Sequence, residues 1–330
     1  MKATASSLSS TVAAQASGLA SPGATPALSG LPLKASPLSS AVSAGKSWMA
    51  IYADLFKARL TLLVLLTTWV GFYAGLRGPM PYALMLHALL GTALMAAGAS
   101  ALNQLWERQF DARMRRTQDR PLPSGRLQPR TVFWVGVGCG LAGLGYLAFA
   151  VSLETALLGA ASLLIYLLVY TPLKRVSWLN TIVGAVPGAL PPLMGWTAAR
   201  GGLGHAGWAL FAIQALWQLP HFMAIAWIYR DEYARAGFKM LPVLDPDGRR
   251  TARQALAFAV ALAPVSLLPF LLGIAGPVYA VVAVVLSLAF IWYAIQFSRH
   301  LTVARARQLF YVSLLYLPLL LAVLALDKVR

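Results

Sequence analysis

Asn103, Glu107 and Asp111 recur four residues apart in a polar run between two apolar stretches. At about 100° per residue, each step of four drifts only about 40° around a helix, so the three oxygen-bearing side chains share one face. Oxygen ligands on one face suit a hard cation such as Mg2+, which keeps several waters and completes its shell with substrate phosphates. Arg113, Arg115, Arg116 and Arg120 follow directly, and guanidinium forks match phosphate oxygens. Acids for a metal beside arginines for an anion read as a metal–diphosphate site. The plain alternative is a solvated helix end with internal ion pairs and topology-setting arginines.

A second cluster follows another apolar stretch. Trp217-Gln-Leu-Pro-His221-Phe leads into Arg230-Asp231-Glu232-Tyr233-Ala-Arg235-Ala-Gly237-Phe-Lys239, where acids and bases again interleave. Two such clusters at one end of a helical bundle could close over a shared substrate; alternatively, this is an independent solvated loop. Asp245-Pro-Asp247-Gly is a turn. The single cysteine, Cys139, excludes an intramolecular disulfide and a Cys-cluster metal site.

The elements that carry these clusters are membrane helices. Of 330 residues 59% are hydrophobic and only 11% charged, with mean hydropathy +0.68, which is the composition of an all-α polytopic membrane protein. The net charge of +17 does not imply nucleic acid, because the basic residues lie in short loops between apolar segments. Nine runs near the crossing length of about 20 residues are expected as spans. They cover 60–77, 83–105, 131–151, 153–171, 178–199, 207–229, 253–273, 276–297 and 309–326. The second ends before Asp111, leaving that acid at an exposed loop end. The fifth contains Pro187, Pro191 and Pro192 among glycines, so it should be kinked, with its freed carbonyls facing protein or a cavity.

All of the 27 Lys and Arg except Arg77, Arg200, Lys328 and Arg330 fall on one side of such a bundle, which predicts N-in, C-out. All ten acids except Glu154 and Asp327 fall there too, and a metal site would gather them. Residues 1–46, rich in Ser, Ala, Gly and Pro with three lysines and no acid, read as a disordered tail ahead of a membrane domain over 47–330. Without arginine or an amphipathic face, the tail fits a bacterial protein better than a mitochondrial transit peptide.

Asn103-x-x-x-Glu107-x-x-x-Asp111, with Met114-x-Arg116-Thr117 and Arg120-Pro-Leu-Pro-Ser-Gly, resembles the first metal motif of the UbiA-type intramembrane prenyltransferases. Tyr170-Thr-Pro-Leu-Lys-Arg175, Trp217-Gln-Leu-Pro-His-Phe and Tyr229-Arg-Asp-Glu-Tyr-Ala-Arg-Ala-Gly237 are similar to its protohaem IX farnesyltransferase branch. The resemblance covers roughly residues 48–326. It implies nine helices around a central cavity in the bacterial inner membrane, with both acidic loops on the cytoplasmic side. It also implies Mg2+, farnesyl diphosphate and haem b as ligands, and haem O as product.

On this resemblance Asn103, Glu107, Asp111 and the loop acids Asp231 or Glu232 hold the metal. Arg115, Arg116, Arg120, Lys174, Arg175, Arg230 and Lys239 bind diphosphate. His221 contacts haem, as an axial ligand or as a hydrogen-bonding wall of the cavity. Haem-handling or oxidase-assembly proteins are the expected partners, besides the lipid bilayer. One departure stands out: many relatives carry Asp-x-x-x-Asp in the second loop, whereas four residues after Asp231 this chain has Arg235. A different prenyl acceptor, of 4-hydroxybenzoate or chlorophyllide type, is the alternative within the family. A secondary transporter with its site on the broken fifth helix is the alternative outside it.

Overall fold

A computed structural model describes residues 46–329, so the segment read as a tail lies outside the described residues apart from Lys46. A short helix, α1 (Trp48–Leu55), is the first element among the described residues, with Ser47 as its cap, the hydroxyl accepting from the Ala50 amide at 3.3 Å. The remaining long helices are α2 (Ala58–Gly75), α3 (Tyr82–Asp111), α4 (Pro129–Ala150), α5 (Leu153–Leu173), α6 (Asn180–Arg200) and α7 (His205–Ile228). After the short α8 (Arg230–Ala236) come α9 (Arg249–Leu271), α10 (Pro277–His300) and α11 (Val303–Leu326). Nine of the helices among the described residues are long and apolar enough to cross a membrane, and no strand is present there. The protein is a multi-pass membrane protein.

One difference from the expected spans matters. α3 runs to Asp111 rather than ending at 105. Its 30 residues extend about 45 Å, well beyond the roughly 30 Å of a hydrocarbon core. Hydropathy falls after residue 102, but no glycine or proline interrupts the run to Asp111, so the helix continues where apolarity stops. Asn103, Glu107 and Asp111 therefore sit on a rigid last segment instead of a loop.

Small residues set the helix contacts. A methyl at Gly98 would stand 2.5 Å from the Gly140 amide nitrogen, and one at Gly143 2.4 Å from that of Met95, so α3 and α4 touch backbone to backbone. Likewise α2 and α6 meet at Gly71 against the Pro192 carbonyl and at Gly195 against that of Thr68. In lipid, where apolar burial gives little advantage between helices, such close approach supplies the packing. α6 packs on α2, α5 and α7 and is the most buried span. Pro191 cannot donate to the Pro187 carbonyl, which accepts instead from the Ser162 hydroxyl on α5 at 3.1 Å. The expected freed carbonyl does face protein.

Candidate active site

Asn103, Glu107 and Asp111 are all buried, and each is met by a cation from a different part of the chain. Lys57 Nζ donates to Asn103 Oδ1 at 2.9 Å, Lys174 Nζ to Glu107 Oε1 at 2.7 Å, and Arg120 Nη1 to Asp111 Oδ2 at 2.6 Å. Buried carboxylates require such partners, since an unpaired charge away from water is strongly destabilising. The alternative of a solvated helix end is thereby excluded: the face is dry and internally paired.

Lys57 joins α1 to α2 with φ +49°, a left-handed conformation that costs an L residue about 1–2 kcal/mol. The turn aims its ammonium inward, where it also reaches the Tyr166 hydroxyl at 3.3 Å. Burial, with the Arg120 and Lys174 charges adding to it, lowers the Lys57 pKa to about 7. Lys174, just past α5, lies 4.4 Å from the Tyr170 ring centroid. Burial works against its charge, but Tyr170 and the Glu107 carboxylate outweigh that and hold the ammonium above its ordinary range.

α5 reaches the site through a wide turn. Residues Ile165–Tyr170 form a π-helical segment, a feature that gathers at functional positions. It places Tyr166 and Tyr170 in a stack with centroids 5.6 Å apart. The Tyr170 ring lies so close to Gly184 on α6 that an added methyl there would stand 2.5 Å from it. Thr171 completes this wall, accepting from Asn103 Nδ2 at 3.1 Å while donating to the Tyr166 carbonyl at 2.8 Å.

The second polar segment docks on the first. Met114 is buried in one apolar cluster with Ala226, Ala236, Phe238 and Met240. Arg116 Nη2 donates to the Tyr233 hydroxyl at 2.8 Å, and its guanidinium lies over the Tyr229 and Tyr233 rings. The Lys239 amide donates to the Lys174 carbonyl at 2.7 Å, and Asn180 Nδ2 to the Lys239 carbonyl at 3.1 Å. Arg175 lies over Phe110, which packs on Phe238. The two clusters read from the sequence thus form one contiguous end of the bundle.

Individual residues divide. Arg120 and Lys174 are at the centre; Arg115 and Lys239 are exposed near them; Arg230 lies over the Trp227 ring. Asp231 has an 85% exposed side chain whose cation partner is Arg230 at 3.7 Å. Glu232, its neighbour, has Oε2 buried with no hydrogen-bond partner. No group of three His, Cys, Asp or Glu side chains occurs among the described residues, so the oxygen set on α3 is an amide and two carboxylates. That all-oxygen donor chemistry fits a hard divalent cation. His221 is stacked between Trp217 and Phe310, each centroid 5.0 Å away, with Nδ1 2.7 Å from the Ser313 hydroxyl of α11. It sits about 10 Å, two helical turns, inside the end of α7.

Sequence reasoning missed Lys57, Tyr166, Tyr170 and Thr171. A signal was available: Tyr166, Tyr170 and Lys174 repeat the same spacing of four as Asn103, Glu107 and Asp111. Lys57 offered no such signal, since one lysine beside a span reads as a topology charge.

The sequence profile of the UbiA prenyltransferase family matches residues 64–319. A protoheme IX farnesyltransferase of Solibacter usitatus (strain Ellin6076) is 46% identical over 289 residues, 85% of this chain and 99% of that protein. Among solved structures, one concerning digeranylgeranylglyceryl phosphate synthase in membranes has a TM-score of 0.73 at 15% identity, covering 84% of this chain and 98% of that one. A UbiA homologue from Archaeoglobus fulgidus bound to GPP and Mg2+ has a TM-score of 0.58 at 18% identity, over 83% of this chain and 99% of that one. At these identities the two structures speak to the fold alone. With the profile covering most of the nine spans and the Solibacter relative matched nearly end to end, the chain belongs to the UbiA prenyltransferase family, among its protoheme IX farnesyltransferases.

Proposed function

We propose that the chain transfers a farnesyl group from farnesyl diphosphate to a vinyl group of haem b, giving haem O. The observation that carries this is the end of α3, where buried Glu107 and Asp111 sit among Lys57, Lys174 and Arg120. Asn103, Glu107 and Asp111, with Glu232 or Asp231 from the second segment, would hold Mg2+, which when bound neutralises charge growing on a departing diphosphate.

The chain's own residues do the rest. Arg116, Arg120 and Lys174 bind the diphosphate, with Arg115, Arg175, Arg230 and Lys239 around them. As the allylic C–O bond breaks, its electron pair stays on the diphosphate oxygen, and these fixed cations stabilise the growing charge without reorganising. The farnesyl chain lies among the apolar spans, where exclusion of water protects the allylic cation from early capture. The terminal vinyl carbon then forms the new C–C bond. Water adds to the cation left on the haem side and loses a proton. No side chain acts as a covalent nucleophile. His221, already bonded through Nδ1 to Ser313, contacts the tetrapyrrole. The basic end faces the cytoplasm of a bacterial inner membrane, as the lysine and arginine asymmetry supports, and the membrane domain begins at about residue 47.

Incubation of the purified protein with Mg2+, farnesyl diphosphate and haem b tests this by product mass. A gain of one farnesyl group plus one hydroxyl group is expected. Unchanged haem b, with another aromatic acceptor prenylated instead, would overturn the acceptor assignment and keep the prenyl donor.

A further inference from the structure

Outside the α3 site, a cavity of about 390 Å³ opens beside the start of α9, lined by Trp178, Leu241, Arg250, Arg253, Gln254 and Ala257. Arg250 and Arg253 are exposed and lie one helical turn apart. Neither takes part in an ion pair or side-chain hydrogen bond among the described residues, unlike Arg120, Arg126 or Lys174. Of the two acids in the preceding turn, Asp247 is exposed and makes no ion pair among the described residues, while Asp245 is buried, its Oδ2 accepting from the Thr251 amide at 2.8 Å and the Thr251 hydroxyl at 2.9 Å. Gln254 adds an unmet polar group, its amide oxygen being buried without a partner. Trp178 and Leu241, from other segments, and Ala257, one turn beyond Arg253 on the same helix face, supply the apolar lining, which includes a flat indole.

The cavity adjoins the diphosphate end. Trp178 follows Lys174 by four residues and Leu241 follows Lys239 by two. The two loops are stitched together by the Lys239 amide on the Lys174 carbonyl and by Asn180 on the Lys239 carbonyl. The cavity is thus built in part by the same two loops that carry Lys174 and Lys239.

We propose that this cavity is the subsite for the two propionate carboxylates of the tetrapyrrole acceptor, bound by Arg250 and Arg253 with Trp178 stacked against the ring. This rests on haem b being the acceptor. Two unpaired guanidinium groups match two carboxylates, and each can accept a fork-to-fork pair. The propionates lie on the macrocycle edge away from the vinyl groups, so anchoring them leaves a vinyl group free to face the allylic carbon. An indole beside the arginines stacks on a flat porphyrin better than on a lipid tail.

The test uses the full-length protein in a neutral detergent. Haem b affinity is read from a Soret titration, and farnesyl diphosphate affinity from its KM. The Arg250→Ala/Arg253→Ala double variant should bind haem b about 10- to 100-fold more weakly with the farnesyl diphosphate KM unchanged. Haem dimethyl ester, whose propionates carry no charge, should bind the unmodified protein with a similar loss, a comparison that needs no variant to fold. The double variant should no longer distinguish acid from ester. Equal haem b affinity in the two proteins, or retained discrimination against the ester, would overturn the subsite. So would an effect of the double variant seen only in phosphatidylglycerol nanodiscs and not in phosphatidylcholine, which would make the cavity a lipid-headgroup site. If the unmodified protein gives no Soret shift yet still hydrolyses or transfers from farnesyl diphosphate, the haem reading itself fails and the subsite with it.

Discussion

The Lys174 ammonium lies 2.7 Å from the Glu107 carboxylate and 4.4 Å from the Tyr170 ring centroid. Glu107 projects from the last segment of α3 and Lys174 follows α5, so this pair ties the metal-side helix to the anion-side loop. Its two members are assigned to opposite partners in the reaction, the acid to a cation and the lysine to an anion. In the free protein they satisfy each other.

Breaking that pair should therefore be more damaging than removing it. Glu107→Gln leaves a buried ammonium without its counter-charge and should destabilise the protein by roughly 3–5 kcal/mol. The Glu107→Gln/Lys174→Met double variant should recover most of that in a detergent melting experiment while remaining inactive. A double variant no more stable than Glu107→Gln alone would mean the two groups are not coupled.

Helix contacts offer a second, purely structural check. At Gly195 an added methyl would stand 1.9 Å from the Thr68 carbonyl oxygen, whereas at Gly138 nothing lies within 4 Å. Gly195→Ala must push α6 off α2 and should cost about 1–3 kcal/mol, the usual range for overpacking. Gly138→Ala, on an open face of α4, should be neutral or stabilising by up to about 1 kcal/mol, because alanine favours helix. Melting temperatures of the two variants separate the cases.

These examples also mark what was legible in the sequence. Nine spans were readable because each is an apolar run near the crossing length, and the broken hydrogen-bond ladder of α6 because three prolines remove three donors. The face shared by Asn103, Glu107 and Asp111 followed from helical periodicity alone. Its burial did not. Asp111 was expected at an exposed loop end, yet it is 1% exposed, because the loop after α3 folds back to deliver Arg120 and buries Met114 under α8. Folding back is a tertiary event that no local pattern encodes. Lys57 escaped for a related reason: its role depends on a left-handed backbone turn that aims one lysine inward.

Lys57 should give the free protein a distinct pH dependence. Its ordinary pKa of 10.5 falls to about 7 on folding, chiefly through burial. Between those values the unfolded chain holds a proton that the folded protein has released. Stability must then rise with pH across that window, and Lys57 adds no slope below it. Melting temperature measured without substrate or metal should climb from about pH 7 to pH 9, and Lys57→Met should flatten the climb and melt higher at pH 7. An unchanged slope in Lys57→Met would assign the titration to another group.

Asp111 is the plainest test of metal binding. Asp111→Asn keeps an oxygen that can accept from Arg120 but removes its counter-charge; because the Arg120 side chain is partly exposed, the fold should lose about 1–3 kcal/mol, less than in Glu107→Gln. It removes a negative charge from the proposed Mg2+ ligands, and turnover should fall at least about 100-fold, a loss of roughly 3 kcal/mol in transition-state stabilisation. EDTA should silence the unmodified protein and Mg2+ should restore it. An active Asp111→Asn protein would remove this face from the metal site.

The last prediction concerns which acid of the second segment matters. Asp231 and Glu232 are adjacent on α8, but they point to different surroundings. Asp231 is 85% exposed and its ion pair with Arg230, at 3.7 Å between exposed groups, contributes little. Glu232 Oε2 is buried and unpartnered, an arrangement that costs about 1–3 kcal/mol and calls for a group to meet it. Tyr233, the next residue, already receives Arg116 from the loop after α3, so α8 is held against the first cluster at this point. We therefore propose Glu232, rather than Asp231, as the acid that the second segment contributes to the metal side of the site. Glu232→Gln should leave the melting temperature of the free protein unchanged or raised, and should abolish the increase that Mg2+ with diphosphate produces by binding the folded state. Asp231→Asn should keep that increase and stay within about threefold of full activity, an effect below 1 kcal/mol. The reverse pattern, a lost Mg2+ shift in Asp231→Asn and a retained one in Glu232→Gln, would return the second acidic role to Asp231 and require α8 to turn when substrate binds.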